Sequence, residues 1–196
     1  MAAPSPQNRR EVILDATLTV IGTGGVDSVT HRRVAGEAGV ALGSIAYHFD
    51  SRDEVVRAAF RHFMEGVARS VAFLDDRFVE GGERELLDAL VALSERDLER
   101  PATTRAEYEM LVYGARDPEL AREVNSWQKT LDARLAEGLE ALGVVRPLEG
   151  ARAMRGALRG FELERLIRPG STGLELRRRL QIVLAGLLAQ DEEPIR

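Results

Sequence analysis

Apolar residues recur at intervals of three and four along nearly the whole chain, with polar residues between them. This spacing is typical of helices that bury one face, and almost no segment alternates as a strand would. The clearest stripe consists of Leu120, Val124, Trp127, Leu131, Leu135 and Leu139. The sequence therefore predicts an all-α fold of about nine helices.

Short capping motifs mark where several of these helices begin. A hydroxyl residue three positions before a glutamate forms a capping box, and the chain has three of them, at Ser51–Glu54, Thr104–Glu107 and Thr172–Glu175. Asp117-Pro118 is an N-cap followed by a proline at the first helical position. Glycines at 22, 24 and 25 are expected to end a first helix that runs from about residue 9 to 21.

Residues 30–38 and 42–49 are predicted as two short helices joined at Gly39. The small side chain of Ala35 and the glycine in the turn would let the two helix axes pass close together. Ile45 is placed to reach back into their shared core. This spacing favours a helix-turn-helix, although a purely structural helical hairpin has the same core pattern.

The side chains that this corner leaves exposed are candidates for contact with DNA. A recognition helix meets the major groove with its N-terminal residues. There Gly43 would let the backbone approach, while Ala41 and Leu42 offer only apolar contact, for which a thymine methyl group is the natural partner. Tyr47 and His48 can donate to phosphates, which fixes register. Helix starts with free N–H groups add phosphate sites, so the predicted DNA contacts are Thr30, Arg32, Arg33, Ala41, Leu42, Gly43, Ser44, Tyr47, His48 and Arg52.

The segment THRRVAGEAGVALGSIAYHFDSRDEVVRAAF resembles the DNA-binding motif of the TetR family of bacterial transcriptional regulators. The resemblance is densest at 47–49 and 51–54 and covers about residues 9–62. It implies a three-helix DNA-binding region, a larger helical ligand-binding domain and a two-fold dimer built on the last two helices. Two positions depart from the family pattern: Ala41 stands where a serine or threonine is common, and Leu42 where lysine is common.

The charge of the chain does not by itself indicate a DNA-binding protein. The formal net charge is −5, and residues 1–64 balance seven arginines against seven acidic residues. The N-terminal third is therefore less acidic than the remainder, but it is not basic. An alternative thus stays open: a helical small-molecule or protein-binding module that keeps a vestigial DNA motif.

Candidate residues for catalysis or metal binding are sparse. The chain has no cysteine, which excludes disulfides and thiolate chemistry. His31, His48 and His62 lack the spacing of metal ligands on one helix. Ser44 and His48 stand four apart, but a surface helix without an oxyanion site is poor ground for a nucleophile. We therefore expect no metal, no cofactor and no enzymatic activity.

The later helices carry the residues expected to bind an effector and a second subunit. Aromatic and methionine side chains, each of which also suits ordinary core packing, are predicted to line a small-molecule pocket: Phe73, Tyr108, Met110, Tyr113, Trp127 and Met154. Gly156 and Gly160, with Ala153 and Ala157, form a stripe of small residues. It suits either tight packing within one subunit or a homodimer interface made with the last helix.

These observations predict a disordered arm at 1–8, a helix-turn-helix DNA-binding domain at 9–50, a ligand-binding and dimerisation domain at 51–190 and a tail at 191–196. No apolar run approaches the ~20 residues of a membrane span, and the first ten residues lack the apolar part of a signal peptide. We therefore expect a cytoplasmic protein with no membrane partner. The resemblance implies a homodimeric repressor that an unknown small molecule releases from a palindromic DNA operator.

Overall fold

The computed structural model of the chain describes residues 6–72, 81–168 and 170–189. Within these ranges it is all-α, with nine α-helices, one short 3-10 turn and no strand. The helices are α1 Pro6–Gly24, α2 His31–Ala38, α3 Leu42–His48, α4 Arg52–Ala72, α5 Gly82–Leu98, α6 Pro101–Gly114, α7 Pro118–Ala141, α8 Pro147–Ile167 and α9 Gly173–Ala189. No helix in these ranges is both long enough and apolar enough to cross a membrane.

The helices fall into two compact units that are discontinuous in sequence. Among the described residues, one unit contains those up to Arg69 together with Arg100–Asn125, and the other contains Ser70–Glu99 and those from Ser126 onward. Helix α7 contributes its first residues to the first unit and the remainder to the second. The predicted domain boundary at residue 50 follows chain order and stays a prediction.

In the first unit, α1 packs against α2 and α6. Ile13 and Ile21 of α1 are fully buried. Gly22 brings α1 and α6 into close approach, because a Cβ at this position would lie 1.8 Å from the carbonyl oxygen of Ala102. The Nε of Arg105 donates to the carbonyl oxygen of Gly22 at 2.6 Å across the same crossing. Gly22 therefore lies inside α1 and serves packing, and of the three glycines predicted to end this helix, Gly24 and Gly25 lie at its end.

In the second unit, α9 packs against α8 and α5, and these helices share a core with part of α7. Its fully buried side chains include Leu86, Leu139, Phe161 and Leu180. Asp132 of α7 is also buried, and it accepts two hydrogen bonds from the guanidinium of Arg155 at 2.6 and 3.0 Å. The positive charge of Arg155 thus compensates the buried carboxylate of Asp132 within the unit.

Most predicted helix starts are confirmed, and two are wrong by one turn or less. The Ser51 and Thr172 boxes and the Asp117 cap each accept a backbone N–H at the start of a helix. Helix α6 begins at Pro101 instead of Thr104, because proline favours the first turn. Likewise α1 begins at Pro6, so residues 6–8 of the predicted arm are helical, while residues 1–5 and the tail at 191–196 lie outside the described residues.

Candidate nucleic-acid interface

Helices α2 and α3 form the predicted helix-turn-helix corner. Gly39 ends α2 in the left-handed conformation, with φ 65° and ψ 29°, which glycine adopts without strain. The N–H of Val40 donates to the carbonyl oxygen of Ala35 at 3.0 Å and so closes the turn. Val34 and Ile45 are both fully buried beneath the corner. The two helices are therefore separate elements held by a common core.

The beginning of α2 presents the polar groups that were predicted to contact phosphate. The hydroxyl of Thr30 caps the helix by accepting the N–H of Arg33 at 3.1 Å. Thr30, Arg32 and Arg33 are all exposed. The guanidinium of Arg33 extends toward the end of α1. A Cβ atom added at Gly24 would lie 3.0 Å from its Nη1. Arg32 is the other exposed cation at this helix start.

The outer surface of α3 carries most of the remaining predicted contacts. Tyr47 and Leu42 are 82% and 53% exposed, and Ala41 and Gly43 are exposed as well. Ser44 and His48 are half-buried at the margin of this surface. The rings of Tyr47 and His48 meet edge to face, with centroids 5.0 Å apart. The exposed residues among the predicted contacts of α3 therefore form one outward surface of the helix. The contact of this surface with DNA stays a prediction.

Arg52, the last predicted contact, is held within the protein. Its Nη2 donates to the carbonyl oxygen of Val26 at 2.6 Å, and its Nε donates to that of Val29 at 3.2 Å. Both carbonyls belong to the connection between α1 and α2. The half-buried guanidinium therefore fixes the first residue of α4 to the segment that precedes the Thr30 cap.

A group of ion pairs that sequence reasoning missed joins α4 to the first turns of α7. The Nε of Arg57 donates to Asp117 at 2.8 Å, and Arg61 forms two hydrogen bonds with Glu123 at 2.7 and 2.6 Å. Glu119 lies 3.3 Å from the guanidinium of Arg61. The four-residue spacing of the two arginines could have indicated a charged stripe on α4, but it carried no information about the partner helix.

Asp117 is the most buried member of this group, with 9% of its surface exposed. It accepts the backbone N–H groups of Glu119 and Leu120 at 3.0 and 3.2 Å as the N-cap of α7. The hydrogen bond from Leu120, followed by the bond from Arg57, lowers the pKa of Asp117 below its ordinary value. Arg61 lowers the pKa of Glu123 in the same way. Both carboxylates are therefore charged in the folded protein at neutral pH.

The residues predicted to line an effector pocket are distributed over both units. Met110 is buried in the first unit, where Tyr108 and Tyr113 are half-buried. Trp127 and Met154 are buried in the second unit. Phe73 lies outside the described residues. The pocket itself stays a prediction.

Two regions of the chain match models of one protein family. Residues 13–59 match the model described as "Bacterial regulatory proteins, tetR family". Residues 81–190, which are more than half of the chain, match the model described as "Tetracyclin repressor-like, C-terminal domain". The first region contains the whole helix-turn-helix corner, and the second contains α5 to α9.

Individual relatives give the same result. The HTH-type transcriptional repressor KstR of Mycolicibacterium smegmatis is 26% identical, and the match covers 99% of this chain and 94% of the repressor. A transcriptional regulator from Rhodococcus sp. Rha1 has the same fold, with a TM-score of 0.79 at 23% identity over 97% of this chain and 100% of the other. The multidrug binding protein EbrR, solved with ethidium, is 30% identical with a TM-score of 0.67, covering 89% of this chain and 97% of EbrR.

Proposed function

Because the chain belongs to the TetR family of bacterial transcriptional regulators, we propose that it is a ligand-responsive repressor that binds a palindromic DNA operator. The observation that carries this proposal is the α2–α3 corner, whose core is buried and whose outer face on α3 is exposed. Tyr47 and Arg32 supply donors to phosphate, and the surface of α3 enters the major groove. The protein acts in the cytoplasm, where the chromosome lies.

We infer that the repressor is a homodimer formed through α8 and α9. Gly156, Gly160, Leu163 and Ile167 follow one another at four-, three- and four-residue spacing on α8, and all four are exposed. Ile182 on α9 is 73% exposed, and Cβ atoms added at either glycine would meet nothing within 4 Å. An apolar stripe with small residues suits close helix crossing in a two-fold interface. Two recognition helices would then be about 34–36 Å apart on successive major grooves.

The ligand response is proposed from the family and from one relative. The matched C-terminal region corresponds to the domain that in this family binds effectors, and EbrR was solved with ethidium bound. Helix α7 belongs to this region, and its first turns form the ion pairs with α4. A small molecule that favours a different spacing of the two recognition helices would lower operator affinity, and a useful switch needs a coupling of about 1–3 kcal/mol.

Fluorescence anisotropy with duplexes from upstream of the protein's own gene tests the proposal. We expect tight binding to one such duplex and weak binding to a scrambled duplex of the same composition. Affinity should also fall steeply with salt, since phosphate contacts release counterions. A flat salt response with equal binding to both duplexes would favour the alternative, a helical binding module with a vestigial DNA motif.

A further inference from the structure

The outward face of α3 is small and apolar at its centre. At 100° per residue, Gly43 and Ala46 lie in the middle of this face, with Leu42 and Tyr47 on its two flanks. These four residues are exposed, while Ile45 on the opposite side is fully buried. No side chain larger than a methyl group therefore separates the middle of the helix from whatever it meets, and a Cβ at Gly43 would have open space around it.

The charged and amide side chains that usually read base edges by hydrogen bonds are absent from this helix, and the hydroxyl residue Ser44, which can bond to any base and so discriminates little, is half-buried beside the exposed face. Arginine and lysine read guanine, asparagine and glutamine read adenine, and carboxylates read cytosine. Residues 41–48 contain none of these side chains. The nearest arginine after the helix, Arg52, donates to the carbonyl oxygens of Val26 and Val29. The exposed centre of α3 thus offers methyl and methylene groups as its means of base discrimination.

The major groove contains one apolar group that such a surface can recognise, the C5-methyl of thymine. We propose that Leu42 and Ala46, four residues apart on the exposed face, determine operator specificity by packing against thymine methyl groups. The absence of a side chain at Gly43 lets the helix backbone come close enough for these contacts. This inference rests on the proposed DNA-binding function and names the chemistry by which that function selects its sequence.

Replacing thymine by deoxyuridine removes the methyl group and leaves base pairing unchanged. The wild-type protein is first used to select its operator from a random duplex pool, and each thymine of a half-site is then replaced singly by dU. We expect dU to raise the Kd about fourfold at one or more positions, the loss of one buried methyl group. At such a position, exchange of T·A for C·G should weaken binding, and 5-methyl-dC should restore part of the loss.

A pair of variants assigns the effect to Leu42. Leu42→Ala shortens an exposed side chain, so the fold is retained, and it should bring the dT/dU ratio at one position close to one. Tyr47→Phe is the matched control because it removes a predicted phosphate donor from the other flank of the same face. It should weaken binding to all duplexes alike and leave every dT/dU ratio at its wild-type value.

Two results would overturn the methyl-reading inference while the repressor function stands. One is an operator in which dU replaces every thymine without changing the Kd. The other is a dT/dU ratio that Leu42→Ala leaves intact at all positions, since the methyl groups would then be read by another element. Failure to select any duplex from the pool would instead contradict the DNA-binding function itself, and the inference would fall with it.

Discussion

Gly36 inside α2 and Gly39 directly after it differ in whether the backbone requires glycine, although they are only three residues apart. Gly39 has a positive φ of 65° at the corner before α3, whereas Gly36 lies inside the helix, exposed, with nothing within 4 Å of an added Cβ. A β-branched residue is strained in the left-handed region of backbone conformation. Inside a helix, alanine has a higher helix propensity than glycine. The need for glycine at Gly39 therefore comes from the backbone conformation alone.

Replacing Gly39 by valine should destabilise the corner by about 1–3 kcal/mol and impair operator binding. Gly36→Ala is the matched control, and it should leave stability unchanged or raise it by up to about 1 kcal/mol. Urea unfolding and anisotropy measure the two effects. A Gly39→Val protein with wild-type stability and affinity would show that the turn does not require the left-handed conformation.

How far the sequence predicts these residues depends on whether their role is local. The need for a glycine at 39 follows from the spacing of its neighbours and is confirmed. Gly22 was interpreted as part of a helix stop, since glycines often end helices. Its packing role was not predicted, because the carbonyl of Ala102 that it approaches is far away in sequence. The hydrogen bonds of Arg52 were likewise not predicted, since the carbonyls that it contacts belong to the segment before α2, while its contact with phosphate stays a prediction. Local rules carry no information on such distant neighbours.

Among the elements, α4 and α7 form contacts that the sequence did not predict. Capping motifs gave the start of each helix correctly, since a cap involves residues only two or three positions apart. The residues of the Arg57–Asp117 hydrogen bond are 60 positions apart. From the sequence alone, many other acidic residues were equally possible partners of Arg57. The structure shows that the cap of α7 is also the ion-pair partner of α4.

Asp117 both caps α7 and pairs with Arg57, which predicts that its contribution to stability depends on pH. Because folding lowers the pKa of this carboxyl, its stabilising effect is complete above the ordinary value of 3.8 and is lost as pH falls through the lower folded value. Asp117→Asn keeps a capping side chain but loses the charge that attracts Arg57. The variant should unfold at a lower temperature at pH 7, and its deficit relative to wild type should shrink in acid.

Asp27→Asn is the control for this substitution. Asp27 also faces an arginine, Arg52, at 3.4 Å, but its side chain is fully exposed, and ion pairs in water contribute little. Thermal unfolding followed by circular dichroism from pH 7 down to about pH 3, spanning the ordinary carboxyl pKa, should separate the two variants. Equal, pH-independent melting curves for wild type and Asp117→Asn would contradict a role for the Arg57 contact.

At the scale of the whole molecule, operator affinity depends on two half-sites being bound together. If α8 and α9 form the proposed dimer, a charge at Ile182 would be buried against the partner without a counter-charge. Ile182→Glu should therefore convert the dimer into folded monomers. Operator affinity should then fall by about 10²–10⁴, since the second recognition helix no longer benefits from the effective concentration that dimerisation provides.

Val112→Glu provides the matched control, because Val112 is 59% exposed and lies on α6 in the first unit. The same substitution there should leave both mass and affinity unchanged. Light scattering after size-exclusion chromatography gives the oligomeric state, and anisotropy with full and half operators gives the coupling. If Ile182→Glu remained a dimer with wild-type affinity, the interface would have to lie elsewhere on the chain. A monomer that kept full operator affinity would instead show that the two half-sites are bound independently.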